Sequence, residues 1–274
     1  AGNTGESQPE SFEVDTVAPE LTIDELKPTN DTTPTISGKT EPGATVKVEI
    51  LDKDGNPVAT GDATVDPEGN WTFTPTEELP EGEYTVKAEA KDAVGNTATE
   101  TADGKLTVDT TAPSDTDVTI DPIADTNDTT PEITGTTEPG TTVNVVVKDK
   151  DGKVVAEGPA TVTGDTWTYT PSVELADGEY DVVAKATDKA GNTGESQPES
   201  FEVDTVAPEL TIDELKPTND TTPEITGKTE PGAIVDVVIK DKDGEIVSEG
   251  KAEVDPEGNW KYTPTEELPE GHYD

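Results

Sequence analysis

The chain contains no cysteine, no methionine and no arginine. Without cysteine, no disulfide can staple a small secreted domain, so such a fold needs another source of order, and a bound metal is the usual substitute. The 62 acidic residues against 18 basic ones give a formal net charge of −44. That balance leaves no basic face for phosphates, which argues against nucleic acid and against anionic membrane surfaces as partners. No apolar run approaches the roughly 18 residues of a spanning helix, so no direct membrane insertion is expected. Aromatic residues make up 4% of the chain and hydrophobic residues 29%, figures that alone would describe a disordered polymer. The only histidine, His272, stands in a tight acidic loop where the other units carry Glu83 and Glu179. No base recurs beside a serine, so no nucleophile–base pair is in view. Close carboxylate pairs are inevitable at this acid content and do not by themselves indicate glycoside hydrolysis. No catalytic residue is expected, and the chain reads as no enzyme.

What the sequence does have is repetition. The stretch Ala1–Asp31 returns letter for letter at Ala190–Asp220. A looser copy lies between them, with "VDTTAP" at Val108–Pro113 matching "VDTVAP" at Val14–Pro19 and Val203–Pro208. "NDTTP" begins at Asn30, Asn127 and Asn219, "TEPG" at Thr40, Thr137 and Thr229, and "DKDG" at Asp52, Asp149 and Asp241. The tryptophans Trp71, Trp167 and Trp260 keep step. The unit is about 95 residues, too long for a solenoid repeat or a propeller blade and suited to a string of small domains. The boundaries read as a tail of a preceding repeat at 1–14, repeat 1 at 15–108, repeat 2 at 109–203 and a truncated repeat 3 at 204–274.

Within repeat 2, Pro, Gly, Asp and Asn punctuate the chain every 8–12 residues, and the runs between them alternate, as in an all-β sandwich. Strands are expected at Val118–Ile120, from Pro131, from Thr141 with Val143, Val145 and Val147 on one face, and over "KVVAEGPATV" as one strand or two short ones. Further strands are expected at "WTYTP", with Trp167 and Tyr169 inward, at "YDVVAKATD", and from Ser200. This predicts a seven-stranded sandwich per bead and an extended rod of tandem beads. Alternating strand direction puts "NDTTP", "DKDG" and "LADGE" at the pole facing the next bead. It puts "TEPG", the turn before tryptophan and "DKAGN" at the pole facing the previous one. The tryptophans read as core, and "DKDG" as a hairpin turn, since it lacks the third acidic position and distal glutamate of an EF-hand. The Asn-X-Thr sequons at Asn30, Asn70, Asn127 and Asn219 read as turn chemistry.

The ordered words "DTTAP…TNDTTPEITGTTEPGTTVNVVV…WTYTP…LADGEYDVVAKATDKAGNT" resemble the bacterial Ig-like repeats of giant surface adhesins, among them biofilm-associated and calcium-dependent RTX-type, type I-secreted fibres. The resemblance covers essentially the whole chain. It implies modules strung end to end on the extracellular bacterial cell surface, often with Ca2+ at the junctions, holding a distal tip domain and its ligand away from the cell. The partners it implies are the neighbouring repeats of the same chain. Two other readings stay open: repeats that themselves bind polysaccharide or a host protein, and an accessory region of a secreted hydrolase.

Calcium takes six to eight hard oxygens in flexible geometry. The linker aspartates Asp15, Asp109 and Asp204 sit where beads meet, and the expected poles bring Asp92 and Asn96, or Asp188 and Asn192, to the same place. Glu41, Glu138 and Glu230 of "TEPG" share that pole, and the preceding bead offers Asp31, Asp128 or Asp220. Turn and capping chemistry is the alternative for every one of these residues. The third unit ends at Asp274, which aligns with Asp181, and so lacks the stretch matching Val182–Val203. A continuation in register is expected, with Trp260 and Tyr262 incompletely covered. Residues 1–14, matching 190–203, could lend a neighbour its last strand.

Overall fold

A computed structural model describes residues 4–274, so the first three residues of the expected tail segment lie outside the described residues. It forms two compact units, one ending at Asp204 and one covering Thr205–Asp274. The first unit holds repeats 1 and 2. Repeat 1 consists of β1 (Leu21–Ile23), β2 (Ile36–Thr40), β3 (Thr45–Leu51), β4 (Pro57–Asp62), β5 (Thr64–Val65), β6 (Asn70–Phe73), β7 (Gly82–Lys91), β8 (Thr97–Thr101) and β9 (Leu106–Val108). One antiparallel sheet has the order β1-β2-β6-β5; the other is β4-β3-β7-β8, with β9 beside β8 on the same edge of β7. Repeat 2 consists of β10 (Ile133–Thr136), β11 (Thr142–Asp149), β12 (Val154–Pro159), β13 (Thr161–Thr163), β14 (Thr166–Tyr169), β15 (Gly178–Thr187), β16 (Thr193–Glu195) and β17 (Glu199–Val203). Its sheets are β10-β14-β13 and β12-β11-β15-β16, with β17 completing the edge of β15.

Period-2 alternation builds both cores. Val46, Val48 and Ile50 of β3 and Val143, Val145 and Val147 of β11 turn inward to meet Val86, Ala88 and Ala90 or Val182, Ala184 and Ala186. Trp71 and Trp167 are buried, each donating its indole N–H to a backbone carbonyl, Thr22 or Thr136. This satisfies the one polar group a buried indole carries. The indole lies flat on a glycine: a Cβ on Gly135 would stand 2.6 Å from Trp167 and 2.0 Å from the Thr119 carbonyl, so no larger residue fits. The "DKDG" loops are hairpin turns, as expected. Asp52 and Asp149 accept hydrogen bonds from backbone N–H groups inside the turn, and Gly55 and Gly152 take positive φ.

Two differences from the sequence expectation have local causes, and one alternative left open is decided. Val118–Ile120 is no regular strand. A three-residue excess over repeat 1 begins at Ser114, whose carbonyl accepts from Asp117 and Val118, and only Thr119 and Asp121 reach the ladder of β10. "KVVAEGPATV" is two strands because the chain crosses from one sheet to the other between Pro159 and Thr161. The "KAGNTG" turn is shorter than expected, since Thr193–Glu195 pairs with the upper end of β15 before β17 takes the lower end.

The second unit contains β18 (Thr211–Ile212), β19 (Ile225–Lys228), β20 (Asp236–Lys240), β21 (Ile246–Lys251), β22 (Glu253–Val254) and β23 (Asn259–Tyr262). The sheet β18-β19-β23-β22 is whole, whereas the other holds only β20-β21. Trp260 and Tyr262 are 2% and 7% exposed, so the expectation that they stand incompletely covered does not hold. They belong to the whole sheet and pack on Val235, Ile239 and Leu268. Ile212, Ile234, Val238 and Ile246 are among the exposed apolar residues of this unit.

Candidate functional site at the junction of repeats 1 and 2

Asp109 follows β9 directly and is held from both sides. Its N–H donates to the Thr29 carbonyl of repeat 1 (3.0 Å), and its own carbonyl accepts from Asn192 Nδ2 of repeat 2 (2.8 Å). A second direct bond crosses the junction, from the Asn30 N–H to the Ala190 carbonyl (3.1 Å). The pole assignment is therefore right: "NDTTP" of repeat 1 meets "DKAGN" of repeat 2. Glu81, in the "LPEGE" loop of repeat 1, accepts from the Thr110 and Thr111 hydroxyls of the connecting segment. At the far pole of repeat 1 the pattern recurs, with Asn96 Nδ2 donating to the Asp15 carbonyl at 3.2 Å.

The loop aspartates are turn caps. Asp188 Oδ1 accepts from the backbone N–H groups of Ala190, Gly191 and Asn192, and Oδ2 from Asn192 Nδ2. Asp92 accepts the same set from Val94, Gly95 and Asn96. Partial burial opposes ionisation of Asp188, yet these donors outweigh it and hold the carboxyl below its ordinary pKa. Asp31, Asp128 and Asp220 cap Thr33, Thr130 and Thr222. Asp15 and Asp109 cap Val17 and Thr111 through Oδ1. Repeat 1 thus reaches the junction through the Asn30 backbone, while the Asp31 carboxylate turns into its own loop.

Glu138 behaves differently. Burial, then the negative charges of Asp117, Asp188 and Asp109, and a hydrogen bond with the Asp117 carboxyl push its pKa above the ordinary value. The structure therefore brings Asp109, Glu138, Asp188 and Asn192 into one electrostatic neighbourhood. It adds Asp117, which the sequence reading missed. Asp117 directly follows the three-residue excess of repeat 2, at the position of Glu20 and Glu209, and the Ser114 hydroxyl donates to its carboxylate; the sequence signal is an acidic residue there in every repeat. Asp128 lies at the opposite pole of repeat 2, where Asp204 donates its N–H to Thr126. Glu41 and Glu230 close their own turns by accepting from Ala44 and Ala233 at the backbone.

The donors around Glu138 are hard oxygens, the kind calcium takes. As they stand, no three acidic or histidine side chains among the described residues are close enough to hold a metal ion together.

No curated protein matches this sequence. Among solved structures, the chain is similar to a tetra-tandem repeat in the extending region of a large adhesion protein, at 28% identity over 90% of this chain, TM-score 0.34. The chain spans 65% of that structure's length. It is similar to a 1.5-MDa bacterial ice-binding adhesin at 14% identity, covering 91% of this chain and 88% of that one, TM-score 0.36. It is also similar to a biofilm-associated protein domain at 20% identity, covering 69% and 30%, TM-score 0.25. The model of the bacterial Ig-like domain matches residues 23–110, 111–205 and 212–274, in step with the three repeats. The chain therefore belongs to the bacterial Ig-like domain family, as a tandem array.

Proposed function

We propose that this chain is a structural spacer of a bacterial cell-surface adhesin, an extender that holds a distal ligand-binding domain away from the cell. The observation that carries this reading is Asp109, a single linker residue bonded to repeat 1 through its N–H and to repeat 2 through its carbonyl. A connection without slack transmits direction from bead to bead, and each bead adds roughly 40 Å of reach. Self-repulsion of a chain with net charge −44 favours extension and solubility. The repeats act by reach and stiffness and perform no reaction. The relevant neighbours are further repeats, outside the cell.

Calcium is the second part of the proposal. Asp109, Asp117, Glu138 and Asp188 would hold it, the last through whatever Oδ2 retains beyond its bond to Asn192. When bound, the ion would neutralise their mutual repulsion and add oxygen coordination across the junction. Two measurements on the 274-residue chain test the two parts separately. Small-angle scattering should give a maximum dimension that grows stepwise as whole repeats are added; no growth would end the spacer reading. Calcium titration against chelator should raise the melting temperature of the first unit in wild type and less in Asp117→Asn. An unchanged melting temperature would end the calcium reading and leave the spacer reading standing.

A further inference from the structure

Spacers joined end to end receive any pull on the array through the first segment of each bead and pass it on through the last strand. In repeat 1 these two segments bond directly to each other. Thr29 pairs with Val108 in parallel, outside the regular strands. The Thr29 N–H donates to the Thr107 carbonyl at 2.9 Å, and the Asp109 N–H donates to the Thr29 carbonyl at 3.0 Å. The same arrangement recurs in repeat 2. Thr126 pairs with Val203 in parallel, the Thr126 N–H donates to the Glu202 carbonyl at 2.9 Å, and the Asp204 N–H donates to the Thr126 carbonyl at 2.9 Å. Parallel segments run toward the same pole. Tension draws the entering segment back toward the pole where the bead begins, and the leaving strand toward the pole where it ends. The two are therefore pulled past each other along their own length, with their hydrogen bonds lying across the pull. Bonds loaded in this way share the force and break together, whereas bonds opened from one end of a pair break one at a time.

We propose that this parallel contact is a tension clamp, that it lets the beads resist pulling as well as set reach, and that the clamp of repeat 2 is the stronger. The proposal rests on the spacer reading, since only a tethered array is pulled from both ends. The grading comes from the clamp and from the strand beside it. In repeat 2 Asp125 Oδ1 accepts from the Glu202 N–H at 3.0 Å, a third bond across the same contact. Repeat 1 has Pro28 at that position, whose side chain offers no acceptor. On its other edge the leaving strand is held by β7 or β15. β9 makes three residue pairs with β7, and β17 makes five with β15. Tension therefore meets fewer bonds in repeat 1, which yields first and lengthens the array while repeat 2 stays folded. Resistance of this kind is kinetic, because forced opening is governed by the unfolding barrier and not by the equilibrium stability of the bead.

The absence of cysteine leaves handle positions free to choose. Glu20→Cys and Glu209→Cys, both at exposed positions of the 274-residue chain, load repeats 1 and 2 in an optical trap. Constant force is expected to give two unfolding events, each with a barrier distance below one residue's rise, ~3.3 Å, because a sheared contact fails once its segments slip that far. Asp125→Ala alters an exposed side chain and should shorten the wait for the second event by about two- to tenfold, the equivalent of one net hydrogen bond. Asp125→Asn keeps the acceptor oxygen and should restore most of the wild-type lifetime. Thr29→Pro removes the N–H bonded to Thr107 and should shorten the first wait by a similar factor of about two to ten. If that variant does not fold, the wild-type barrier distance and Asp125→Ala decide the matter. A barrier distance of about 10 Å or more, several residues of extension, or equal lifetimes of wild type and Asp125→Ala under load, overturns the clamp. A shorter second wait in Thr29→Pro, with the first unchanged, overturns the grading. Neither result touches the spacer reading, which stands or falls on the growth of the maximum dimension in scattering.

Discussion

Thr40 is 7% exposed, and its hydroxyl is the one buried side-chain polar atom among the described residues without a hydrogen-bond partner. Its counterpart in repeat 2, Thr137, is equally buried but lies 2.7 Å from the Thr141 hydroxyl, which in turn donates to the Glu138 carbonyl at 2.8 Å. Repeat 1 has Ala44 where repeat 2 has Thr141. Ala44→Thr should therefore stabilise repeat 1. A buried unsatisfied hydroxyl costs about 1–3 kcal/mol, and each bond gained nets about 0.5–1.5 kcal/mol. Against this stand the rotamer entropy of the new side chain and any crowding. Both are small, because the same site in repeat 2 houses a threonine and a groove lined by Ala44, Val65 and Pro67 runs alongside. The net expectation is about 1 kcal/mol in favour of the variant.

Hydrogen exchange of core amides on the full chain measures this repeat by repeat. The opening free energy of β3 and β7 should rise by about 1 kcal/mol while that of β11 and β15 stays put. A sharper check is a reversal of sign. Thr40→Val removes an unsatisfied group and should be neutral or stabilising. Thr137→Val removes its bond with the Thr141 hydroxyl, which keeps the Glu138 carbonyl, and should cost about 0.5–1.5 kcal/mol. If Thr40→Val destabilises repeat 1 as much as Thr137→Val destabilises repeat 2, the Thr40 hydroxyl has a partner and the reasoning is refuted.

Gly135→Ala should destabilise repeat 2 by at least about 3 kcal/mol, since its Cβ meets both a carbonyl and the indole; a denaturant midpoint close to wild type would contradict the packing described. Asn192→Ala removes the bonds to the Asp109 carbonyl and the Asp188 carboxylate, and should loosen the junction in scattering while costing about 1–2 kcal/mol in repeat 2. The raised pKa of Glu138 makes its contribution to stability present below its unfolded value and lost as pH rises through the folded value. Asp188, held low, contributes above its unfolded value, and that contribution is lost as pH falls through the folded value. Mild acidification from neutrality should therefore stabilise the junction before stronger acid weakens it, and Glu138→Gln should abolish the first limb of a melting-temperature profile while leaving the second.

The repeats, the strands and the poles were legible because each rests on local rules: period 2, turn residues at fixed intervals, and alternating direction. The valines of β11 and the tryptophans went where alternation sends them. The candidate site was legible only in part. Asp109, Glu138, Asp188 and Asn192 do share one neighbourhood, yet the carboxylates of Asp92 and Asp188 are occupied by backbone N–H groups of their own loops. No residue pattern separates a capping aspartate from a coordinating one, because both uses ask for the same oxygen beside a tight turn. Asp117 escaped notice because the three-residue excess before it shifts it out of step with the linker, although Glu20 and Glu209 stand at the same position. The coverage of Trp260 was misjudged because the absent stretch was set against the whole core, whereas it belongs to one sheet and Trp260 to the other.

The duplicated segment shows where sequence stops deciding. Residues 4–14 and 193–203 carry the same propensities, the same Pro–Glu break and the same alternation of Phe and Val, and only one of them is a strand. Intrinsic preference therefore contributes too little to order these residues. What orders them is β15, a ten-residue strand long enough to carry β16 at its upper end and β17 at its lower end. A single strand gains its hydrogen bonds and its burial only from a neighbour, so its formation is a property of the edge it joins. The same holds at the junction. Asp15 and Asp109 close the same word, but Asp109 follows an ordered strand and is tied through its N–H to repeat 1, whereas Asp15 is held by the bead that follows it through Asn96. At the junction of repeats 1 and 2 it is thus the completed bead that holds the segment leaving it, through the Thr29 carbonyl and the Asp109 N–H.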